Sequence, residues 1–163
     1  KNRWRSVALT ALLIASAWLL VQGWILVGAP TPSHTSMPDC PDRTMNCAFL
    51  SSSGTVRMDA GLTTVVEANV SEVWDAWVTW SDENGLRDVL DEVDEGGERF
   101  SHRVAITPFW RFPDDVVVQF EPVGENTAMT LYSASRLGGS DLGVNPARLE
   151  SLHSALVAVQ AAT

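Results

Sequence analysis

The sequence predicts an α+β fold, in which an N-terminal transmembrane helix is followed by a small antiparallel sheet packed with two helices. Three observations lead to this fold class. Residues 6–28 carry no charge, several later segments are rich in β-branched residues between short polar turns, and two segments repeat apolar residues at helical spacing. The 163 residues suffice for an anchor and one domain. We divide the chain into an anchor (1–28), a linker (29–41) and a globular domain (42–163).

The N-terminal segment has the length and composition of a membrane span. As a helix, residues 6–28 extend about 34 Å, enough to cross a bilayer. Lys1, Arg3 and Arg5 precede this run, and no further positive charge occurs before Arg43. The positive-inside rule then places the N-terminus in the cytoplasm or stroma and the domain in the periplasm or lumen. A cleaved secretory signal is the alternative, but the apolar stretch is long for one.

The linker contains four prolines among serines and threonines, which favours an extended spacer. Cys40 and Cys47 are the two cysteines of the chain, and in an oxidising compartment they most simply form a disulfide. Closing so short a loop would stabilise the domain by about 2–3 kcal/mol. A metal site would need two more ligands than these cysteines and a distant His34 supply, and a redox pair usually has closer thiols.

The first part of the domain predicts a strand followed by a helix. Residues 62–68 are rich in β-branched side chains. Asn69 then has Glu72 three residues later, the pattern of a capping box. Apolar residues recur on one face of the helix that follows, namely Val70, Val73, Trp74, Trp77 and Val78. A tryptophan stripe at this spacing is far more often core than a pigment or sugar platform.

The acidic segment 81–98 lacks the ligand spacing of an EF-hand loop, and we interpret it as a solvated helix end and turn. Strands are predicted over residues 99–108, 115–121 and 127–135, with short connections that imply antiparallel pairing. The last helix is predicted to begin at Asn145 as cap, with Pro146 at the first helical position. Its apolar stripe is Leu149, Leu152, Leu156 and Val159.

Three sequence features resemble one known family. They are SASRLGGSDLGVNPARLESLH at residues 133–153, FPDDVVVQF at 112–120, and the Asn46–Cys47 pair after the proline-rich segment. Together they are similar to the domain of unknown function 1499 family. The resemblance implies a membrane-associated or exported protein of bacteria or plastids, and it carries over no catalytic residue. Where that family often runs from the cysteine into serines, this chain has Ala48, Phe49 and Leu50.

Much of the 133–153 motif is explicable as turn and cap chemistry, because glycines permit tight turns and short polar side chains bond nearby amides. The functional alternative is that several polar residues converge on a pocket for a small polar or anionic ligand. These candidates are Ser133, Ser135, Arg136, Ser140, Asp141, Asp114 and Asp115. His102 and His153 have no nucleophile elbow, metal-ligand spacing or phosphate loop beside them, and we interpret both as ordinary surface or boundary histidines.

The net charge of −9 excludes a basic footprint for nucleic acid and fits solubility or docking to a basic soluble protein. Our leading hypothesis is a non-catalytic accessory subunit, whose helix packs on integral subunits of a photosynthetic or respiratory membrane complex. The alternative is a binding module for a small molecule or lipid, with an apolar pocket between helix and sheet and Arg136 at its mouth. A hydrolase would need a perturbed Asp114, Asp115 or His102 in a cleft. No cofactor and no metal are expected.

Overall fold

The computed structural model describes residues 2–161. A long helix α1 (Asn2–Gly28) leads, through the linker, into an antiparallel sheet with two shorter helices. These helices are α2 (Val70–Glu83) and α3 (Val144–Val157), and α3 ends in a short 3-10 segment (Ala158–Ala161). The strands are β1 (Cys47–Ser51), β2 (Gly54–Val56), β3 (Val65–Val66), β4 (Arg87–Val93), β5 (Arg99–Ile106), β6 (Pro113–Val123) and β7 (Asn126–Ser135). The predicted fold class is confirmed.

Helix α1 is uninterrupted and is long and apolar enough, over Arg3–Gly28, to cross a membrane. None of its most apolar window is buried by the rest of the chain. Its apolar side chains surround the axis rather than forming one stripe, as expected for a helix whose surroundings are apolar on every side.

The sheet is built around the long pair β6 and β7. Its order is β2-β1-β7-β6-β5-β4, and β3 pairs with the first residues of β7. All pairings are antiparallel, as the short connections predict. Asp115 on β6 lies opposite Ala134 on β7, and the neighbouring Asp114 lies opposite Ser135.

Strands β1, β2 and β4 were not predicted from the sequence, and β3 is shorter than predicted. The acidic segment 81–98, interpreted as a helix end and turn, contains strand β4, which pairs with β5 at the edge of the sheet. Its acidic residues are exposed, which suits an edge strand because charge discourages pairing with other chains. Conversely, the strand predicted over 62–68 shrinks to Val65–Val66, the two residues that pair in register with Ala128 and Thr127 of β7. Phe49 and its neighbours form the full strand β1.

The start of α2 was predicted correctly, whereas the start of α3 was not. The capping box of Asn69 and Glu72 is present as predicted, and Trp77 is fully buried in the core. The predicted cap of α3 at Asn145 is wrong, because the helix starts at Val144 after Gly143, whose φ of 87° is left-handed. Asn145 is instead buried within the first turn, where its side chain bonds several polar groups.

The sheet has two faces with different coverings. Helices α2 and α3 cover one face, and the main core lies between them and residues such as Val116, Val118 and Phe120. The opposite face carries a smaller cluster of Cys47, Phe100, Val117 and Tyr132. We call the first the helix face and the second the linker face, because Met37 and Cys40 of the linker pack on it.

Candidate functional site

The linker is bound to the sheet at two points. Cys40 and Cys47 form the predicted disulfide, which joins the linker to the start of β1. Nearer to α1, the backbone N–H of His34 donates to Nδ1 of His102 at 3.2 Å, and the two imidazole rings lie 4.8 Å apart. The linker is therefore attached to the domain at both points and is not a free spacer. With both thiols in the disulfide, the cysteine metal site considered for them is excluded.

Asp115 is the centre of a buried polar cluster on the linker face. Arg136 donates to it through Nε at 3.0 Å and through a second nitrogen at 2.7 Å. His102 Nε2 contacts the same carboxylate at 2.7 Å, and His34 Nε2 lies 3.8 Å away. The side chains of Asp115 and Arg136 are only 7% and 9% exposed. The two side chains form a charge-assisted pair, in which two nitrogens of the guanidinium group bind a desolvated carboxylate.

The hydrogen bonds fix the tautomer of His102. Its Nδ1 accepts the His34 N–H, so the ring proton lies on Nε2 and is donated to Asp115. The surface or boundary interpretation of His102 is wrong, because this side chain is fully buried. It also has no nitrogen free to act as a base on a substrate, since both are engaged within the chain. His153 is buried as well, where its Nε2 contacts the carbonyl of Thr63 at 2.9 Å.

The electrostatics of the cluster follow from burial and pairing. Burial alone raises the pKa of Asp115, but the hydrogen bonds from His102 and Arg136 outweigh it and hold this pKa below its ordinary value. Burial lowers the pKa of His34, with Asp115 opposing this shift and His102 and Arg136 adding to it. Burial, assisted by the Asp115 charge, raises the pKa of Tyr132 to about 12. The cluster is therefore built around one ionised carboxylate.

His34, His102 and Asp115 are also the described residues that come nearest to a metal site, since their ligand atoms lie within 4.8 Å of one another. Two features oppose that role. His102 and Asp115 are at hydrogen-bond distance, with the proton between them. Moreover, Arg136 already neutralises the carboxylate, so that a divalent cation would meet a guanidinium 2.7 Å from its ligand oxygen. The geometry is that of a hydrogen-bonded cluster.

A second polar cluster lies on the helix face. Asp114 pairs with Arg148 at 2.8 Å, and Asp141 pairs with Arg57 at 2.7 Å. Asn145 links the two pairs, because its amide donates to Asp141 and its oxygen accepts from the Ser133 hydroxyl. Burial raises the pKa of Asp141, but its bonds from Arg57, the Gly143 amide and Asn145 prevail and lower it. This cluster fastens the start of α3 to the sheet.

The seven candidate residues therefore fall into two groups, and four of them, Asp114, Ser135, Ser140 and Asp141, line one groove of about 260 Å³. Asp115 and Arg136 lie on the linker face, whereas Asp114, Ser133 and Asp141 belong to the helix-face cluster. Ser135 also belongs to the helix-face cluster, because its hydroxyl accepts a bond from Asn145, whereas exposed Ser140 accepts one from the backbone amide of Leu142. The physical reason is the strand period, because adjacent residues of a strand point to opposite faces. Asp114 and Asp115 are such a pair.

A groove opens between the C-terminal end of α1, the linker and the edge of the linker face. It has a volume of about 790 Å³ and is mainly apolar. Its walls are Gln22, Ile25, Leu26 and Ala29 of the anchor end, Thr31, Pro32 and Ser33 of the linker, and Arg87, Asp88, Val89, Val104, Ile106, Arg111, Pro113 and Arg136 of the domain. A groove of this size is in the range that holds a small organic molecule or an acyl chain.

Three arginines line the groove, and they are not equivalent. Arg136 is committed to Asp115. Arg87 and Arg111 are exposed, and neither has a carboxylate partner among the described residues. Asp88, the one acidic residue of the lining, pairs with Arg103. The groove therefore presents two uncompensated guanidinium groups within a chain whose net charge is −9.

Several residues of the cluster and of the groove were not identified from the sequence. His34 lies in a proline-rich segment that predicted only a spacer, and its contact with His102 depends on how the linker folds back. Arg87 was overlooked within an acidic segment, and Arg111 within a connection. Neither arginine belongs to a sequence motif, because Arg87 lies in a segment predicted as a turn and Arg111 in the connection between two predicted strands.

The comparison with family models gave one match. The model described as "Protein of unknown function (DUF1499)" matches residues 29–156, which is more than half of the chain and takes in the linker. The searches of curated proteins and of solved structures returned no match.

Proposed function

Since the chain belongs to the DUF1499 family, whose function is unknown, its activity has to be argued from its own residues, and we propose that it is a membrane-anchored module that binds an anionic amphiphile. The observation that carries this proposal is the groove between anchor and sheet, with its two unpaired arginines. The proposed ligand has an acidic head group, such as a phosphate, and at least one acyl chain.

The two parts of such a ligand match two parts of the groove. Ile25 and Leu26 of α1 face Val104 and Ile106 of β5 across it, and an acyl chain between them would remove apolar surface from water on both sides. Arg87 and Arg111 lie at the same groove, where a guanidinium fork suits a phosphate oxygen pair. A ligand with only one of these parts would leave the other half of the lining unmatched.

The position of the groove supports a ligand that comes from the bilayer. Its anchor wall is the last turns of α1, the part of the helix nearest to the domain. With Lys1, Arg3 and Arg5 on the cytoplasmic or stromal side, the groove would lie at the periplasmic or lumenal surface of the membrane. An acidic lipid could enter there sideways, without leaving the leaflet.

The test is lipid binding by the full chain in detergent, followed by native mass spectrometry. We expect acidic phospholipids to be retained in preference to zwitterionic ones. Each arginine near an anionic head group contributes about 1 kcal/mol, so Arg87→Ala with Arg111→Ala should weaken acidic-lipid binding about 30-fold. Arg43→Ala is the matched control, because Arg43 is an exposed arginine outside the groove. Equal retention of both lipid classes by the wild-type chain would refute the proposal.

The accessory-subunit hypothesis is the second candidate, and one observation favours it. The domain contacts α1 from Trp18 onward, so that the rest of the helix surface, including Ala11 and Ala15, is free to contact integral membrane subunits. Small residues at this spacing let helices approach closely. Copurification with integral subunits at fixed stoichiometry in mild detergent would support this role, and a monomer under the same conditions would count against it.

A further inference from the structure

One connecting loop lies alongside the anchor helix instead of packing into the domain. This aromatic loop, residues 107–112, joins β5 to β6. The indole N–H of Trp18 donates to the carbonyl of Phe109 at 2.8 Å, and the Gln22 amide donates to the carbonyl of Trp110 at 2.8 Å. These contacts attach the loop to the side of α1, well before the helix ends at Gly28.

The attachment points define how far down the anchor the loop reaches. With a rise of 1.5 Å per residue, Gln22 lies about 9 Å and Trp18 about 15 Å before the helix end at Gly28. A hydrocarbon core is about 30 Å thick. If the uncharged run of the anchor spans that core, the loop reaches the outer half of it.

Polar backbone groups of the loop have hydrogen-bond partners, as an apolar environment requires. Backbone carbonyls inside a bilayer need a partner, because no water is available there. The carbonyls of Phe109 and Trp110 receive the two donors of the helix, and Gln22 is the strongly polar side chain of that apolar run. Within the loop, Thr107 accepts the amide of Phe112 through its hydroxyl and donates its own amide to the Phe112 carbonyl.

The side chains of the loop face outward. Phe109 is 63% exposed and Trp110 40% exposed, and their rings contact each other edge to face. Phe109 and Arg111 both adopt a left-handed backbone, with φ of 58° and 60°. Such a conformation is unfavourable for bulky residues and persists only where the surroundings enforce it. The chain thus holds two aromatic rings away from its own core.

The opposite end of the sheet carries acidic residues. The turns that follow β4 and β6 contain Asp94, Glu95 and Glu125 and are exposed. Strand β6 separates these turns from the aromatic loop by about 36 Å. The domain is therefore polarised along its strands, with aromatic residues beside the anchor and acidic residues at the far end.

From these contacts we infer that the aromatic loop inserts into the outer leaflet of the bilayer beside the anchor, as a second membrane contact of the domain. Its partner is the acyl-chain region of the lipids, which accepts Phe109 and Trp110. Arg111, at the base of the loop, stays at the head-group level. This inference rests on α1 spanning the membrane and is independent of any lipid bound in the groove.

Depth measurement by spin labelling tests the inference. The full chain, with its disulfide intact, is labelled at single positions as Phe109→Cys, Leu20→Cys, Leu13→Cys or Glu125→Cys and reconstituted into zwitterionic vesicles. Oxygen and a water-soluble nickel chelate report the depth of each label. We expect the label at 109 to lie within about 3 Å of the depth at 20, which is on the same level of α1, and the label at 125 to lie in water.

The outcomes separate the premise from the inference. A label at 109 in water while those at 13 and 20 are in lipid would overturn the loop insertion and leave the anchor intact. A label at 13 in water would show that α1 does not span the membrane, and the inference would fall with it. As a further check, Trp18→Phe with Gln22→Leu should increase the mobility of the label at 109, whereas Ser16→Ala, whose hydroxyl bonds only its own helix, should not.

Discussion

The buried pair of Asp115 and Arg136 gives the most quantitative prediction about the domain. Asp115→Asn keeps the size of the side chain but removes its charge, so that the guanidinium of Arg136, 9% exposed, loses its counterion. Breaking a buried ion pair from one side destabilises a protein by about 3–5 kcal/mol, because an uncompensated charge stays behind. His34 and His102 lose the same partner, which adds to the effect.

The assay is urea unfolding of the full chain in detergent, followed by tryptophan emission. With an m value of about 2 kcal/mol per molar urea, Asp115→Asn should lower the midpoint by about 2 M. Asp88→Asn is the control, since the Asp88 side chain is 70% exposed and is one of three carboxylates around Arg103, and its loss should change stability by less than about 1 kcal/mol. Equal midpoints for the two variants would refute the assignment of Asp115 as the centre of the cluster.

Three further predictions concern the linker and the first packed helix. Cys40→Ser with Cys47→Ser should lower the free energy of unfolding by about 2–3 kcal/mol through loss of the short closed loop, and an unchanged urea midpoint would show that the linker is held by other contacts. Asn69→Ala removes the cap of α2 and should lower it by about 1 kcal/mol, whereas Ser154→Ala at an exposed site of α3 should have little effect. The pKa values of His34 and Asp115 are both lowered in the folded state, so the unfolded chain binds more protons, and stability rises with pH. The stabilisation from these two groups should be fully present above about pH 6.5, the ordinary pKa of histidine, and should decrease as the pH falls below that value. A urea midpoint that is equal at pH 7.5 and pH 5 would contradict this prediction.

The sequence predicts elements whose signal is local. The capping box at Asn69 and the alternating strands of β5 to β7 are specified by residues a few positions apart, and the structure contains them. Strand β4 was missed because its acidic side chains resemble a solvated turn. Its strand conformation comes from pairing with β5 across the turn at 94–98, and the acidic side chains alone do not indicate this pairing.

The candidate residues were named from the sequence, but their arrangement in the structure differs from the one proposed there. Asp114 and Asp115 were assigned to one pocket, although the strand period sends neighbours to opposite faces, and this could have been deduced from the sequence alone. The contact of His34 with His102 could not, because it depends on the path of a proline-rich linker across the sheet. For the same reason the groove, which needs anchor, linker and sheet together, has no sequence signature.

The most direct test of the binding proposal is crosslinking with an acidic phospholipid that carries a photoactivatable group in its acyl chain. The full chain is reconstituted with this lipid, irradiated and mapped by peptide mass spectrometry. Binding in the groove predicts crosslinks to Val104 and Ile106 of β5 and to Ile25 of α1, and their loss in Arg87→Ala with Arg111→Ala but not in Arg43→Ala. Crosslinks spread evenly along α1, and unchanged in the double variant, would contradict the account.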